Sequence, residues 1–272
     1  MNPVLIIKAD GTQENFDRDK LIGSLEKAGA SEEVTERIVT EVEASLKPGM
    51  KTGDIYRNAF TLLRKEVPHS TGTAARYSLR RALLDFGPSG FPFEAYLAEL
   101  FRRDGFEATT NLIVRGKCVP HEIDVLLKRD NVNTYVEAKF HNASGIKTDL
   151  KVALYVKARI DDLRALDKTA RGMIVTNTKF TTMAIDYATC SDIEILGWDY
   201  PKGNDLQDRI DREGLYPVTA LSSLTKREKD TLLAGKIVLC KSVPQNEDFL
   251  RNMGMKETKL QHIFEEVGAV CK

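Results

Sequence analysis

The sequence predicts a multidomain α/β protein, and three observations support this fold class. A strand pair followed by helical patterns occupies the first ninety residues, strand and helix patterns mix in the centre, and short helical patterns fill the last seventy. Segments rich in glycine and proline separate these regions at 86–92 and 198–204. We therefore expect domains at residues 1–87, 91–203 and 204–272 of this 272-residue chain.

The N-terminal region is predicted to form a small β-hairpin followed by four helices. Apolar residues 4–9 form a strand that runs into an Asp10-Gly11 turn, and residues 12–16 form the return strand. Asp17 and Thr52 are expected to cap the first and third helical patterns, and the second helical pattern begins at Ser31. A fourth helical pattern covers about 72–84.

Four motifs occur in order along this region: IIKADG at 6–11, ExFDxxK at 14–20, KTGDI at 51–55 and AARY at 74–77. Together they resemble the ATP-cone, the nucleotide-sensing module of ribonucleotide reductase large subunits and of the repressor of their genes. The resemblance implies that ATP or dATP binds here as a regulatory ligand. It implies that Lys8 and Lys20 contact the triphosphate and Glu14 the nucleoside, while Thr52 and Tyr56 contact the nucleotide from the third helix.

Two departures bear on this resemblance. Ala9 stands where an arginine usually follows the lysine, which would weaken triphosphate binding. No GxxxxGK(S/T) motif occurs in the chain, so we do not expect ATP hydrolysis in this module. The alternative is a small packing domain that has lost its ligand.

The central region contains two strand patterns that carry charged residues. In the segments HEIDV and YVEAK, apolar and polar residues alternate. This alternation places Glu122 and Asp124 on one face of the first strand, and Glu137 and Lys139 on one face of the second. If the strands pair as a hairpin, carboxylates suited to a hard cation converge with an ammonium group suited to an anion. Such a patch can cleave phosphodiesters.

The elements around this hairpin follow a defined order. A helical pattern at 93–101 precedes three strand patterns, and a long helix, a buried strand, a second helix and a last strand follow. This α-β-β-β-α-β-α-β order and the D…ExK residues resemble the restriction-endonuclease-like nucleases, most closely the Mrr-type branch, over about residues 90–200. The resemblance implies an α/β nuclease domain that cuts DNA with Mg²⁺ or Mn²⁺.

The resemblance also implies a role for each site residue. The implied site contains the side chains of Asp124, Glu137, Lys139 and Glu94, together with the main-chain carbonyl group of Ala138. Asp124, Glu137 and the Ala138 carbonyl would bind the metal, and Lys139 would orient the attacking water or offset phosphate charge. Glu94 matches a first-helix glutamate of Mrr-like relatives, with Glu99 as the alternative. That branch often has glutamine where Glu137 stands, whereas the wider superfamily more commonly has glutamate.

Simpler interpretations of the same residues remain open. The hairpin could be a surface element with ordinary alternating charges. His121 lies on the strand face opposite Asp124 and is expected to be structural, whereas Glu122 either assists the site or is solvated. Lys147 and Lys151 are four residues apart, and they would contact a DNA phosphate or form a solvated basic face.

The last region predicts short helices at 206–212, 226–234, 247–253 and 257–270. A turn at Met253-Gly254-Met255 resembles a degenerate helix-hairpin-helix, in which backbone N–H groups meet a DNA phosphate. The usual double glycine is missing. A helical bundle that serves packing or dimerisation is the equal alternative.

Composition excludes several other classes. Forty basic and forty acidic residues balance, so bulk charge does not favour nucleic acid, and any DNA binding depends on local patches. Four widely spaced cysteines without a CxxC pair argue against zinc sites and a disulfide framework. The absence of a signal peptide or of a long apolar run predicts a soluble, cytoplasmic protein that does not associate with membranes.

These observations together predict a metal-dependent DNA endonuclease, regulated by an adenine nucleotide and expected to form homo-oligomers. The rival is a non-catalytic, nucleotide-responsive DNA-binding regulator that keeps the nuclease fold as a binding platform. An intact set of Asp124, Glu137 and Lys139 favours the enzyme, because a platform has no chemical need for that combination.

Overall fold

The structure of the chain is a computed structural model that describes residues 4–67 and 72–271. It divides into two compact units, each described here by itself. The first contains the described residues of Met1–Ala82, Tyr216–Lys229 and Leu239–Lys272. The second contains Leu83–Leu215 and Asp230–Val238. Across the described residues, no helix is both long and apolar enough to cross a membrane.

The first unit opens with the predicted hairpin and helices. Its strands are β1 (Leu5–Ile7) and β2 (Gln13–Asn15), which pair antiparallel. The helices that follow are α1 (Arg18–Lys27), α2 (Glu32–Ser45), α3 (Thr52–Glu66), α4 (Thr73–Tyr77) and α5 (Leu79–Leu84), the last of which reaches into the second unit. The single helix expected over 72–84 is thus divided at Ser78.

The predicted cap at Asp17 is confirmed, and the helix expected from Ser31 begins one residue later. Asp17 accepts a hydrogen bond from the Lys20 N–H at 3.1 Å, and Ser31 caps α2 in the same way. The prediction for Thr52 is wrong by one position, because the residue at the cap of α3 is Lys51 and it makes no side-chain cap bond. The Thr52 hydroxyl instead donates to the Ile7 carbonyl at 3.1 Å, which ties the start of α3 to the hairpin.

The core of this unit follows the apolar faces that the sequence predicted. One buried residue from each main helix illustrates it, namely Leu25, Val42 and Leu63, all fully enclosed. The period of 3.6 residues places such positions on one helix face, so α1, α2 and α3 bury a common surface.

The C-terminal residues supply helices close to the predicted bounds. These are α9 (Leu206–Glu213), α10 (Lys226–Ala234), α11 (Glu247–Asn252) and α12 (Glu257–Val270). Within the first unit α12 packs against α4. There Gly72 has φ +69°, and an added Cβ would stand 2.3 Å from the Ala269 carbonyl oxygen, so the close approach requires glycine.

The second unit has the predicted element order. Its elements are α6 (Phe91–Arg103), β3 (Glu107–Arg115), β4 (Pro120–Arg129), β5 (Val132–Lys139), β6 (Lys147–Thr148), α7 (Leu150–Arg164), β7 (Arg171–Thr176), β8 (Lys179–Phe180), α8 (Thr182–Cys190) and β9 (Ile193–Leu196). The main sheet has the order β3-β4-β5-β7-β9, antiparallel up to β5 and parallel from there on. The strands β6 and β8, two residues each, form a separate parallel pair that the sequence did not predict.

The helices of this unit pack against the sheet and fix the ends of its strands. Helix α6 packs against β3 and β4, while α7 and α8 pack against each other and against β7 and β9. Ile160 of α7 is fully buried, whereas Leu154 of α7 and Met183 of α8 are 44% and 64% exposed, although both are apolar residues that a helical pattern would assign to a buried face. The buried face of α7 runs through Ala153 and Val156 instead, one helical turn apart.

Candidate active site

Asp124 lies where the pairing of β4 with both neighbouring strands is interrupted. On one side, the residue opposite it is Asn111, which has φ 56° and makes no ladder pair. On the other side, the ladder with β5 ends at the pair Val125 and Val136. Asp124 Oδ2 accepts the Ala138 N–H at 2.7 Å there. The carboxylate thus replaces strand pairing and is fixed against β5.

Glu137 lies beside Asp124 at the end of β5 and is surrounded by donors. Its carboxylate is 2.7 Å from Lys139 Nζ and 2.6 Å from Arg159 Nη1, and the Tyr155 hydroxyl donates to it. Burial by itself raises the pKa of Glu137, but the hydrogen bonds from Lys139 and Tyr155 and the two positive charges outweigh burial and lower it. Glu137 is therefore a buried, ionised carboxylate.

Glu94 projects from α6 toward the same group of carboxylates. Burial, and then the negative charges of Asp124, Glu122 and Glu137, raise its pKa to about 7. Burial and the charge of Glu137 likewise raise the pKa of Asp124 to about 6. The other candidate on the helix, Glu99, forms an ion pair with Arg102 instead. Of the two glutamates, Glu94 is the one within electrostatic reach of Asp124.

The structure thus gathers Glu94, Asp124, Glu137 and Lys139 where the middle of β4 meets the end of β5. The possible metal ligands are carboxylate oxygens, which suit Mg²⁺ or Mn²⁺. The carboxylates of Glu94 and Asp124 repel each other, and a divalent cation would neutralise their negative charge. The chemistry of the donor set therefore fits a hard cation. Among the residues that the structure describes, no three His, Cys, Asp or Glu side chains already stand in metal-binding geometry.

Tyr155 and Arg159 of α7 are the site residues that sequence reasoning missed. Their spacing of four residues puts both side chains on one helix face, and this pairing could be recognised from the sequence. Which direction that face takes depends on tertiary packing, so the sequence alone did not connect them to Glu137.

His121 has a structural role, as predicted from its position on the face of β4 that points away from Asp124. Its Nε2 lies 2.8 Å from an oxygen of Asp162 on α7. The same carboxylate accepts the Cys118 and Val119 N–H groups at 2.8 and 3.3 Å, and the hydrogen bond with His121 is the main reason why the pKa of Asp162 is lowered. This network holds the turn between β3 and β4.

The remaining predicted polar residues lie at the surface. Glu122 is exposed, as are Lys147 and Lys151. Lys157 forms an ion pair with Asp161 one turn along α7, which is a solvent-facing contact.

In the first unit, the residues predicted to contact the triphosphate converge on one carboxylate. Glu14 of β2 lies 3.5 Å from Lys8 Nζ and 3.7 Å from Lys20 Nζ, and Lys20 lies also 3.4 Å from Asp17. The lysine side chains are 42% and 67% exposed, so both can exchange this contact for a solvent-borne anion.

Thr52 and Tyr56 occupy the start of α3 next to this cluster. The hydroxyl of Thr52 bonds to the carbonyl of Ile7, the residue before Lys8. Tyr56 stacks on Tyr77 with ring centroids 5.0 Å apart, and its hydroxyl donates to the Tyr77 carbonyl. The structure therefore brings Thr52 close to the lysine cluster, whereas Tyr56 contributes to the packing of α3 against α4.

Known protein families match the whole arrangement in consecutive segments. Residues 4–85 match the ATP cone domain, residues 88–202 the restriction endonuclease family, and residues 216–271 the C-terminal domain of AF1548-like proteins. The two resemblances seen in the sequence are thereby confirmed as domains of this chain.

Two relatives extend the match beyond single domains. An uncharacterized protein of Archaeoglobus fulgidus is 38% identical over 175 residues, which are 64% of this chain and 99% of the relative. The crystal structure of the protein of unknown function AF1548 has a TM-score of 0.58 and 35% identity, over 67% of this chain and 98% of that one. The structure of the MspJI restriction endonuclease in complex with a 27-mer oligonucleotide is 17% identical and has a TM-score of 0.38, over 60% of this chain and 36% of that one. This similarity is too low to bear on function. The chain therefore belongs to the AF1548-like family and carries an ATP cone domain before its restriction endonuclease domain.

Proposed function

We propose that this protein is a metal-dependent DNA endonuclease whose activity is regulated by an adenine nucleotide bound to its ATP cone domain. The observation that carries the proposal is the grouping of Glu94, Asp124, Glu137 and Lys139 from three different elements, where the middle of β4 meets the end of β5. Desolvated carboxylates that raise one another's pKa are costly to the fold, which favours a functional reason for keeping them.

The metal site would consist of Asp124, Glu137 and the Ala138 carbonyl, with Mg²⁺ as the preferred ion and Mn²⁺ as a substitute. When bound, the ion supplies an activated water and stabilises charge on the scissile phosphate. Asp124 is suited to this task because the Ala138 N–H already fixes its orientation at 2.7 Å.

Lys139 would offset negative charge, and Glu94 would accept or hold a proton. The Lys139 ammonium, 2.7 Å from Glu137, offsets negative charge where the phosphate approaches. Glu94, with a pKa of about 7, accepts a proton from a water molecule at slightly alkaline pH and holds it below that. Both groups sit on rigid elements, a strand and a helix, so the geometry is preorganised.

DNA would reach this site through local charges. The chain has equal numbers of basic and acidic residues, so long-range attraction is weak. Lys147 on β6 and Lys151 in the first turn of α7 are exposed and follow β5 in the chain, and they would contact phosphates that flank the cut.

The nucleotide would bind at the cluster of Lys8, Glu14 and Lys20. ATP or dATP would replace Glu14 as the partner of the two ammonium groups, which suit a triphosphate better than one carboxylate. Glu14 would then be free for the nucleoside, and Thr52 lies at the helix start beside Lys8.

The test is cleavage of plasmid DNA with Mg²⁺ or Mn²⁺, with and without ATP and dATP. Replacing Asp124, Glu137 or Lys139 by alanine is expected to lower cleavage by about 100-fold or more, because each removes a metal ligand or a charge-stabilising donor. The matched control is Glu99→Gln, on α6 but paired with Arg102, which should cut like the wild type.

The outcomes separate the enzyme from its rival. Undiminished cleavage by the Asp124 variant contradicts the active-site assignment. Binding of DNA that responds to nucleotide but is never followed by cleavage, with either metal, would identify a non-catalytic regulator instead.

A further inference from the structure

The carboxylate of Glu137 is occupied by groups of this chain that a metal ion would have to displace. Oxygen Oε1 lies 2.7 Å from Lys139 Nζ and also accepts the Tyr155 hydroxyl. Oxygen Oε2 lies 2.6 Å from Arg159 Nη1. Since the Glu137 side chain is 7% exposed, solvent does not weaken these contacts much.

An aromatic ring reinforces this arrangement. The Lys139 ammonium and the Arg159 guanidinium each stand 5.3 Å from the centroid of the Tyr155 ring. Both are within the range of cation–π attraction. Tyr155 therefore holds the two cations on Glu137 through its ring as well as bonding to the carboxylate through its hydroxyl.

Of these groups, Arg159 is the one that conflicts most directly with a metal ion. A divalent cation on Oε2 would stand a few ångströms from the guanidinium cation of Arg159, and like charges at that separation repel strongly. Arg159 must therefore leave Glu137 when a cation binds there. A guanidinium has a second partner of suitable charge and shape in DNA, because it binds phosphate oxygens in a bidentate manner.

We infer that Arg159 is a positioning residue that exchanges Glu137 for a DNA phosphate, so that DNA and the divalent cation bind cooperatively. The inference rests on the proposed function and adds its regulation by substrate. Without DNA, Arg159 stays on Glu137 and keeps the affinity for the cation low. With DNA, the guanidinium moves to a phosphate and Glu137 becomes available. Thermodynamic reciprocity requires the cation to strengthen DNA binding by the same factor.

The experiment is a calorimetric titration of the full chain with Ca²⁺, an oxygen-seeking cation, with and without saturating duplex DNA. For the wild type we expect DNA to tighten Ca²⁺ binding about tenfold or more, the effect of one charge-assisted hydrogen bond. Arg159→Gln should bind Ca²⁺ about tenfold more tightly than the wild type without DNA, and should lose most of the further gain on adding DNA.

Two further variants make the result specific. Lys157→Gln removes the same charge from the same helix, but Lys157 is paired with Asp161, so Ca²⁺ affinity should not change. Tyr155→Phe keeps the ring and removes the hydroxyl, and it should tighten Ca²⁺ binding in the same direction by a smaller factor. It tests the inference even if the Arg159 variant does not fold.

The possible results distinguish this inference from the proposed function. Wild-type Ca²⁺ affinity and wild-type DNA coupling in Arg159→Gln, or equal changes in Lys157→Gln, overturn the exchange while plasmid cleavage still supports a nuclease. A wild-type protein that neither binds a divalent cation, with or without DNA, nor cuts plasmid overturns both.

Discussion

The pKa of Glu94 predicts that this residue destabilises the protein above neutral pH and that Glu94→Gln relieves the cost. Burial and the charges of neighbouring carboxylates raise the pKa from 4.5 to about 7. The unfolded chain releases the proton near pH 4.5, whereas the folded protein keeps it until about pH 7. Between these values the folded state binds more protons, so the free energy of unfolding falls as pH rises, and the loss is complete at about pH 8.

The size of the effect follows from the shift. At roughly 1.4 kcal/mol per pKa unit, a rise of about 2.5 in the pKa corresponds to about 3.5 kcal/mol as an upper bound. Because Glu94 is only partly buried, solvent screening reduces this figure, and we expect about 1–3 kcal/mol. Glutamine keeps the size of the side chain and removes the charge. The variant should therefore gain about 1–3 kcal/mol over the wild type between pH 5 and pH 8.

Urea denaturation in EDTA at both pH values measures this difference, with Glu99→Gln as the control. Glu99 is on the same helix but paired with Arg102 at the surface, and its substitution should change stability by less than about 0.5 kcal/mol at either pH. Mg²⁺ at pH 8 should stabilise the wild type more than Glu94→Gln, because a cation neutralises the repulsion. A difference between Glu94→Gln and the wild type that does not vary with pH would refute the placement of Glu94 among the carboxylates.

Further predictions concern the first unit and the assembly of the protein. Lys8→Ala or Lys20→Ala should weaken ATP or dATP binding in calorimetry about ten- to a hundredfold without unfolding the chain, and absence of nucleotide binding by the wild type would leave a packing domain. Nucleotide should shift the self-association equilibrium in sedimentation velocity and alter the ratio of nicks to double-strand breaks, since one site cuts one strand; no change in either would exclude this form of regulation. Gly72→Ala should lower the free energy of unfolding by about 1–3 kcal/mol, because its Cβ would meet the Ala269 carbonyl oxygen, whereas Gly23→Ala, in an open position of α1, should not destabilise.

The sequence predicted those parts of the structure that depend on residues close together in the chain. The alternation around Asp124 and Glu137 determines strands regardless of what packs on them, and the same holds for the helical periodicity of α1, α2 and α3. Both family resemblances followed from such segments in the right order, and the matches to residues 4–85 and 88–202 confirm them.

The parts that were missed depend on distant contacts. The pair β6 and β8 is two residues long, so it shows no periodicity, and its stability comes from the neighbouring elements. The exposure of Leu154 and the contact of Arg159 with Glu137 both depend on the rotation of α7 about its axis, which is determined by tertiary packing. The predicted third domain, residues 204–272, stays a prediction, although α12 packs against α4 through Gly72.

The three carboxylates of the site differ in how far neighbouring cations compensate their negative charge. Lys139 and Arg159 both contact Glu137, whose pKa is lowered, while Glu94 and Asp124 carry raised pKa values of about 7 and about 6. The same two cations act on Asp124 only at longer range, and they do not offset its burial and the charge of Glu137. In the proposed nuclease, a divalent cation would gain most by binding first at Asp124, where negative charge is less fully compensated than at Glu137. Glu137 would join as a ligand once Arg159 has moved to the substrate, so the site would be completed in an order that substrate controls.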